Sequence, residues 1–262
     1  MKVNTGISLL LWAAIAAAAT VLEDARAESA TRASALPSVP TYVCQKLTGD
    51  IQIDGRLDEA DWKQAEEVRL LDNSAKGAPM RPKTTAKMLW NDEHLFVAFI
   101  AEDFDIHATM KERDQYLWTE EVVEVFVGRT DIYVEIEVNP LNTLFDGRID
   151  LSGQKGRPKF DVDAIAKVDF DIKHDTVVQG TVENRKDRDV QWVVELAISH
   201  AALKGIHPVP PKDGDVWRIN LYRIDRSLEK GKMTASAGAW SPTGGWFHNP
   251  SRFGKIVFSR GK

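Results

Sequence analysis

The sequence predicts an all-β sandwich of antiparallel strands with one short helix, and three observations support this fold class. Nearly every apolar segment is short and rich in β-branched or aromatic residues, and turn residues separate these segments. Only residues 57–65 have helical character. Several segments alternate apolar and polar residues, as strands that cover a core on one face do. Together these patterns favour a sandwich over an alternating α/β fold.

The predicted strands follow one another with short connections. They are residues 42–47, 51–54, 85–90, 94–102, 122–127, 132–139, 165–172, 177–183, 190–198, 216–224 and 254–258. Residues 94–102 are apolar on both alternating faces, which predicts a central strand that is covered on both sides. The pairs Asp146-Gly147 and Asp213-Gly214 predict turns between strands.

The first 27 residues are predicted to be a signal peptide. Lys2 is basic, residues 7–22 are apolar, and Ala25-Arg26-Ala27 provides small residues before a cleavage point at Glu28. The apolar run is shorter than the roughly 20 residues that a membrane-spanning helix needs. We therefore expect a periplasmic or secreted protein with no membrane span after cleavage. Residues 28–40, rich in Ala, Ser and Pro, are predicted to be a flexible linker before a domain at 41–262.

Composition excludes several function classes. The net charge of −5 provides no basic surface for nucleic acid or an anionic membrane. Cys44 is the only cysteine, so no internal disulfide can form, and a buried thiol is predicted. The six histidines lack metal-ligand spacing, and no nucleophile elbow, P-loop or dinucleotide fingerprint occurs.

Two neighbouring strands carry acidic residues on one face. Glu124 shares that face with Glu135, Glu137 and Asn139, because residues 122–127 and 132–139 form an antiparallel hairpin. A solvated sheet face would alternate in the same way without any function. Three clustered glutamates repel one another, so we expect a neutralising partner: Arg218, a lysine or a bound cation.

Aromatic residues on loops favour a binding role for this face. Four tryptophans lie in apolar strand or helix patterns and are predicted core residues: Trp62, Trp90, Trp192 and Trp217. Trp118 instead lies in a polar loop before the Glu124 strand, and Trp246 lies in a Gly-rich loop. Such rings cover the C–H face of a pyranose while polar groups bind its hydroxyls. His248 is expected mainly to order the second loop.

Several motifs occur in a fixed order along the chain. They are IDGRLDE at residues 53–59 followed by Trp62, MLWND at 88–92, LFV at 95–97, VEVF at 123–126, Val138-Asn139, WVVELAI at 192–198, Trp240-Ser241 and PSRFG at 250–254. In this order the chain resembles carbohydrate-binding module family 9. The resemblance implies a jelly-roll-like β-sandwich that grips a glycan end between two tryptophans. Such modules are usually appended to polysaccharide-degrading enzymes, and their fold can carry structural calcium.

The resemblance also implies roles for individual residues. Trp118 corresponds to one clamping tryptophan, Glu124 to a hydrogen-bonding acid and Asn139 to a hydroxyl-binding amide. The second tryptophan corresponds to Phe247 by position or to the adjacent Trp246, and we prefer Trp246 for its larger face.

One position departs from the family pattern. Glu137 stands where sugar-binding members have an arginine. Arg218 lies two residues before Asn220 on the same predicted face of another strand, and Glu137, Arg218 and Asn220 are included in the predicted ligand-binding set. Our hypothesis is that Arg218 replaces the missing guanidinium and neutralises Glu137.

The leading hypothesis is an exported, non-catalytic carbohydrate-binding protein that needs no cofactor and has a carbohydrate-active enzyme as a candidate partner. One alternative is a glycoside hydrolase that uses the Glu124, Glu135 and Glu137 face. Another is a periplasmic partner subunit, including a haem-binding one. Asp54, Asp58 and Asp61 are candidate calcium ligands, although Asp54 equally suits a turn and Asp58 a helix start.

Overall fold

The computed structural model describes residues 36–74, 77–153, 165–229 and 231–261. The predicted signal peptide and most of the predicted linker therefore lie outside the described residues. Within these ranges, none of the helices is long and apolar enough to cross a membrane.

Strands and short helices alternate with loops along the chain. The strands are β1 (Thr41–Lys46), β2 (Val68–Arg69), β3 (Leu71–Asp72), β4 (Thr84–Trp90), β5 (His94–Glu102), β6 (Val122–Gly128), β7 (Ile132–Val138), β8 (Leu144–Asp150), β9 (Ala166–Lys167), β10 (Ile172–Gln179), β11 (Gln191–Ser199), β12 (Val216–Asp225), β13 (Leu228–Glu229), β14 (Lys232–Met233), β15 (Ser236–Ala239) and β16 (Gly254–Ser259). The α-helix α1 spans Ala60–Gln64, and 3-10 helices span Leu117–Thr119, His200–Leu203 and Pro250–Arg252.

One large curled sheet forms the molecule. Its strand order is β10-β11-β5-β4-β1-β16-β12-β6-β7-β8-β9. Pairing along this path is antiparallel except at β1, which is parallel to both β4 and β16. The two halves of the sheet enclose a common apolar core, so the predicted jelly-roll-like β-sandwich is confirmed.

The inner core follows from strand alternation. Val123, Val125 and Val127 of β6 point inward, and the alternate residues of β5 and β12 do the same. The predicted core tryptophans are buried, with Trp62, Trp90 and Trp192 at 0% exposure and Trp217 at 2%. Cys44 is buried in the same core, as predicted, and burial raises the pKa of its thiol. Burial of these side chains is the main favourable contribution to folding.

Separate apolar clusters cover the two outer faces of the sandwich. One contains Trp62 of α1 and packs on β4, β5 and β11. The other contains Phe126, Tyr133, Phe145 and Tyr222 and lies on β6, β7, β8 and β12. Every residue of β6 and β7 is therefore buried, so the interpretation of their polar face as a solvated one is wrong.

The structure differs from the predicted elements at several places. Of the strand predicted at 165–172 only residues 166–167 form one before β10 begins, and β2, β3, β8 and β13 to β15 were not predicted. Residues 51–54 form no strand, and Ile51 and Ile53 instead pack on the Trp62 cluster. The helix is shorter than predicted, and the strand predicted at 177–183 runs earlier, as β10. Asp146-Gly147 lies inside β8 rather than in a turn, because Gly147 pairs with Glu135 of β7. Local turn propensity is weaker there than pairing with an existing strand.

Candidate functional site

Three glutamates lie together on the outer face of β6 and β7. Glu124 pairs directly with Glu137 across the two strands, and Glu135 pairs with Phe126 two positions away. Their exposed fractions are 2% for Glu124, 3% for Glu135 and 0% for Glu137. The predicted shared face of these acids is therefore present, but it is buried.

The three carboxyl groups converge on one point. One oxygen of each lies within 4.8 Å of the corresponding oxygens of the other two. Glu124 Oε1, Glu135 Oε2 and both oxygens of Glu137 are buried without a hydrogen-bond partner. Unpartnered buried carboxylates are costly, so these groups have to be neutralised by protons or by a ligand.

Burial and mutual repulsion favour the protonated forms. Burial raises the pKa of Glu135 to about 8. Burial, followed by the charge of Glu135, raises the pKa of Glu124, and burial followed by the charges of Glu124 and Glu135 raises that of Glu137. We call these three side chains the acidic floor.

The acidic floor forms the base of a cavity of about 300 Å³. Its remaining walls are mostly aromatic and apolar: Trp118, Ile165, Ile224, Gly245, Trp246, Phe247 and His248. The two loop tryptophans, separated by more than half of the domain in sequence, thus line one cavity above the glutamates.

The 3-10 helix Leu117–Thr119 presents Trp118 to this cavity. The Trp118 ring packs edge-on against Phe145 of β8 at a centroid distance of 5.4 Å. It also lies 4.7 Å from the ring of Tyr116, which is 41% exposed. These contacts hold the indole at the rim with part of its surface open.

The Trp246 loop is anchored by Asn73, which follows β3. The amides of Gly244 and Gly245 donate to the Asn73 carbonyl at 3.1 and 2.7 Å, and the Thr243 amide donates to Asn73 Oδ1 at 2.7 Å. Gly244 and Gly245 have φ values of 85° and 92°, which other residue types adopt only with strain. The double glycine thus turns the chain so that Trp246 follows at the cavity wall.

Phe247 and His248 link this loop to the sheet. The Phe247 ring stacks on Tyr222 at 4.2 Å, and its carbonyl accepts a 2.8 Å hydrogen bond from the Tyr222 hydroxyl. His248 Nδ1 is 2.8 Å from the Tyr133 hydroxyl, and burial lowers the pKa of His248 to about 3. The neutral imidazole orders the loop, as predicted from the sequence.

The two predicted amides do not face the cavity. Asn139 Nδ2 donates to the Met110 carbonyl, and its Oδ1 accepts from the amides of Leu141 and Thr143. Asn220 is bound in the same manner to both backbone groups of Ser241. Both side chains are fully buried and fold loops against strands, so their placement in the cavity is corrected.

Arg218 does not neutralise Glu137, and that hypothesis is wrong. The register pairs Tyr222 with Glu124 and Glu124 with Glu137, whereas Arg218 pairs with Gly128. Arg218 therefore lies four residues along β12 from Tyr222, the neighbour of Glu124, which corresponds to about 13 Å. Its guanidinium donates to the carbonyls of Ser251 and Phe253 at 3.5 and 3.3 Å.

The predicted calcium ligands also serve another role. Asp61 accepts hydrogen bonds from the Thr48 amide and hydroxyl and from the Gly49 amide, and Asp54 accepts one from Arg56. Among the described residues, the acidic floor is the one group of three acidic, His or Cys side chains that converge closely enough to hold a metal ion.

Five residues that line the cavity lie outside the predicted ligand-binding set: Glu135, Ile165, Ile224, Gly245 and His248. The side chains of Ile165 and Ile224 form apolar parts of the cavity wall. Ile224 lies on the same face of β12 as Tyr222, so the alternation pattern could have placed it there. Ile165 comes from a segment distant in sequence, and no local pattern indicates its position.

Comparisons with known proteins agree with this architecture. Residues 53–260 match the family model described as "Carbohydrate family 9 binding domain-like". An "Extracellular protein" of Arthroderma benhamiae is 29% identical over 187 residues, which cover 68% of this chain and 79% of that protein.

Solved structures are similar in fold at low sequence identity. A candidate carbohydrate-binding protein from Bacteroides uniformis has a TM-score of 0.63 at 18% identity, covering 85% of this chain and 100% of that one. A carbohydrate binding module family 9 structure from Caldicellulosiruptor kristjanssonii in complex with cellotriose has a TM-score of 0.54 at 16% identity, covering 85% of this chain and 95% of that one.

Proposed function

Because this chain belongs to the carbohydrate family 9 binding domain-like family, we propose that it is an exported, non-catalytic protein that binds a glycan in the cavity between Trp118 and Trp246. The observation that carries the proposal is the convergence of two loop tryptophans on one cavity with a polar base. The cavity is large enough for one or two sugar rings.

The cavity walls suit a pyranose. Indole faces cover the C–H groups of a sugar ring, and each such stacking contact contributes about 0.5–1.5 kcal/mol beyond the burial of area. The carboxyl groups at the base supply acceptors, and donors where protonated, for sugar hydroxyls. Phe247 extends the aromatic wall beside Trp246.

The relatives support the ligand class and the location. The Caldicellulosiruptor modules were solved with cellotriose and with glucose, and the fungal relative is named as an extracellular protein. These agree with the predicted signal peptide, and a carbohydrate-active enzyme remains the partner we propose.

A glycoside hydrolase is the second candidate, favoured by the direct pairing of Glu124 with Glu137. A retaining enzyme needs two carboxyl groups about 5–5.5 Å apart, with one ionised as the nucleophile. Here burial raises the pKa of all three acids, which disfavours the ionised form that a nucleophile needs. We expect no hydrolysis of aryl-glycosides.

Removal of each indole tests the binding proposal. The mature protein is screened on a glycan array that includes cello-oligosaccharides, and affinities for the best glycan are measured by calorimetry. Trp118→Ala and Trp246→Ala should each weaken binding tenfold or more, because stacking and apolar burial are both lost. Phe104→Ala is the matched control, since this ring is 43% exposed outside the cavity. Unchanged affinity in both tryptophan variants would exclude this cavity as the glycan site.

A further inference from the structure

We propose that Glu124, Glu135 and Glu137 bind a divalent cation, with the ligand chemistry of Ca²⁺, and that the cation in turn contacts the hydroxyls of the bound sugar. The second part rests on the proposed function. The first part, a metal site in the cavity, is independent of it.

The three carboxyl groups lie close enough together to share one cation, and their chemistry favours calcium. One carboxylate oxygen from each residue lies within 4.8 Å of the other two. Calcium–oxygen bonds of about 2.3–2.6 Å allow ligand oxygens on opposite sides of the ion to be up to about 4.6–5.2 Å apart. Magnesium demands nearly ideal octahedral geometry and usually keeps several waters, whereas calcium accepts several carboxylates in a flexible arrangement. A ligand set made entirely of oxygen also favours a hard cation over zinc or copper.

The burial and missing hydrogen bonds of Glu137 are a second observation that indicates a ligand, separate from the convergence of the three carboxyl groups. Its side chain is fully buried, both of its oxygens lack a hydrogen-bond partner, and it lines the cavity. The nearest charges that act on it are those of Glu124 and Glu135, which have the same sign. A buried carboxyl group that faces only like charges is neutralised either by a proton or by an external positive charge, and a cation bound in the cavity would displace the proton and supply that charge.

Neighbouring side chains do not supply that charge. Arg218 donates to backbone carbonyls elsewhere, and no Lys or Arg side chain in the described ranges lies within ion-pair distance of the acidic floor. The Tyr222 hydroxyl donates to the Phe247 carbonyl, and the Tyr133 hydroxyl bonds His248.

The open side of the site connects the cation to the glycan. Calcium takes about 6–8 oxygen ligands, and three carboxylates fill only part of this shell. The remaining positions face a cavity between two indoles. Sugar hydroxyls can occupy them while the ring stacks on a tryptophan, so one ligand would use both the acidic floor and the aromatic walls.

Terbium luminescence provides a direct test with the metal alone. Tb³⁺ substitutes for Ca²⁺ and emits when a nearby tryptophan is excited, and Trp118 and Trp246 line the same cavity. The mature protein should give saturable Tb³⁺ emission that Ca²⁺ reverses. Glu137→Gln and Glu135→Gln should each weaken Tb³⁺ binding tenfold or more, because each removes one charged ligand.

Glu183→Gln is the matched control, since this exposed acid pairs with Lys111 outside the cavity. Thermal unfolding of each variant confirms that it is folded. Absence of saturable emission, or equal Tb³⁺ affinity in folded Glu137→Gln protein, would overturn the metal site. Binding of an amino sugar to calcium-free protein that Glu137→Gln abolishes, without Tb³⁺ binding, would assign the acidic floor to an ammonium group instead.

Glycan affinity is then compared in EDTA and in Ca²⁺. We expect at least a tenfold gain with Ca²⁺. Equal affinities would overturn the contact between cation and sugar while leaving the glycan-binding function intact. If no glycan binds under either condition, the proposed function fails, whereas the terbium result still decides the metal site.

Discussion

Two buried acidic clusters differ in how they are neutralised: the acidic floor on the outer face of β6 and β7, and an inner cluster formed by Asp225 of β12 and by Asp103, which follows β5. The acidic floor lies on the outer face, where Tyr222 of β12 is its neighbour. The next residue, Arg223, points to the inner face and joins Asp103 and Asp225. Arg223 Nη2 is 2.7 Å from Asp103 Oδ2 and 2.8 Å from Asp225 Oδ1, and all three side chains are buried.

The difference between the clusters is the source of the positive charge. The inner cluster contains its own guanidinium, which also donates to the Glu102 carbonyl at 2.8 Å. Trp192 donates to Asp103 as well. The acidic floor has no such partner and opens on a cavity. A buried acidic cluster that contains its own counter-charge is neutralised within the fold, whereas one without it and beside a cavity is suited to a ligand.

Removal of the inner guanidinium should produce the largest effect. Arg223→Met leaves two carboxylates buried without their partner, so we expect a loss of about 3–5 kcal/mol in the free energy of unfolding. Urea denaturation measures this loss. Arg129→Met is the control, because the exposed Arg129–Asp131 pair should contribute about 1 kcal/mol or less. If the two variants unfold at similar urea concentrations, the inner cluster is not held by Arg223.

Glu121 lies beside Asp103, Arg223 and Asp225 of the inner cluster and makes the stability of the protein depend on pH. Burial, followed by its interaction with Asp103, raises the pKa of Glu121 to about 11. Between about pH 4.5 and pH 11 the folded protein keeps the Glu121 proton that the unfolded chain has lost. The free energy of unfolding therefore falls as pH rises through this range, by at most about 1.4 kcal/mol per pH unit.

Glu121→Gln mimics the protonated acid and removes this dependence. The variant should be more stable than the natural protein, and the difference in unfolding free energy should grow from pH 5 to pH 8. Urea denaturation across this range measures it. Glu120→Gln at the adjacent position is the control, since burial raises the pKa of Glu120 but hydrogen bonds from Thr109 and Met110 outweigh it and leave this pKa lowered. A difference that is constant with pH would show that Glu121 is ionised in the folded protein.

Replacement of Arg218 should have the smallest effect. Its guanidinium makes two long hydrogen bonds to carbonyls and is remote from Glu137. Arg218→Ala should lower the unfolding free energy by about 0.5–1 kcal/mol and leave glycan affinity unchanged. Its effect should add to that of Glu137→Gln within about 0.5 kcal/mol in a double-mutant cycle. A larger coupling energy would show that Arg218 acts on the acidic floor after all.

Many features of the fold could be predicted from local sequence. Strand β5 has the predicted bounds because its apolar residues on both faces suit only a central position. The shared face of Glu124, Glu135 and Glu137 follows from alternation with period two, which pairing in a hairpin preserves. The position of Trp118 just before this hairpin indicated its place beside the acids.

The partners of the polar side chains could not be predicted in the same way. Arg218 and Asn220 share a face with Tyr222, but the register of β12 against β6 decides which residue reaches the acidic floor. Asn139 has the spacing of a ligand residue, yet the loop around Met110 returns to occupy its amide. Arg223 lacked any local sign of its role, because Asp103 is brought to it by the closure of the sandwich.

The sequence by itself determined the long central strands such as β5, β6 and β7, the alternation of their faces and the clustering of three glutamates beside a tryptophan loop. These depend on neighbours within a strand or across one short turn. Only the tertiary structure decided that this face is buried and that Asn73 holds the Trp246 loop over it. It also decided that Arg223 pairs with the inner acids Asp103 and Asp225, whereas Arg218 does not reach the acidic floor. Burial and charge pairing depend on which distant segments cover a face, and strand register sets this over the whole sheet.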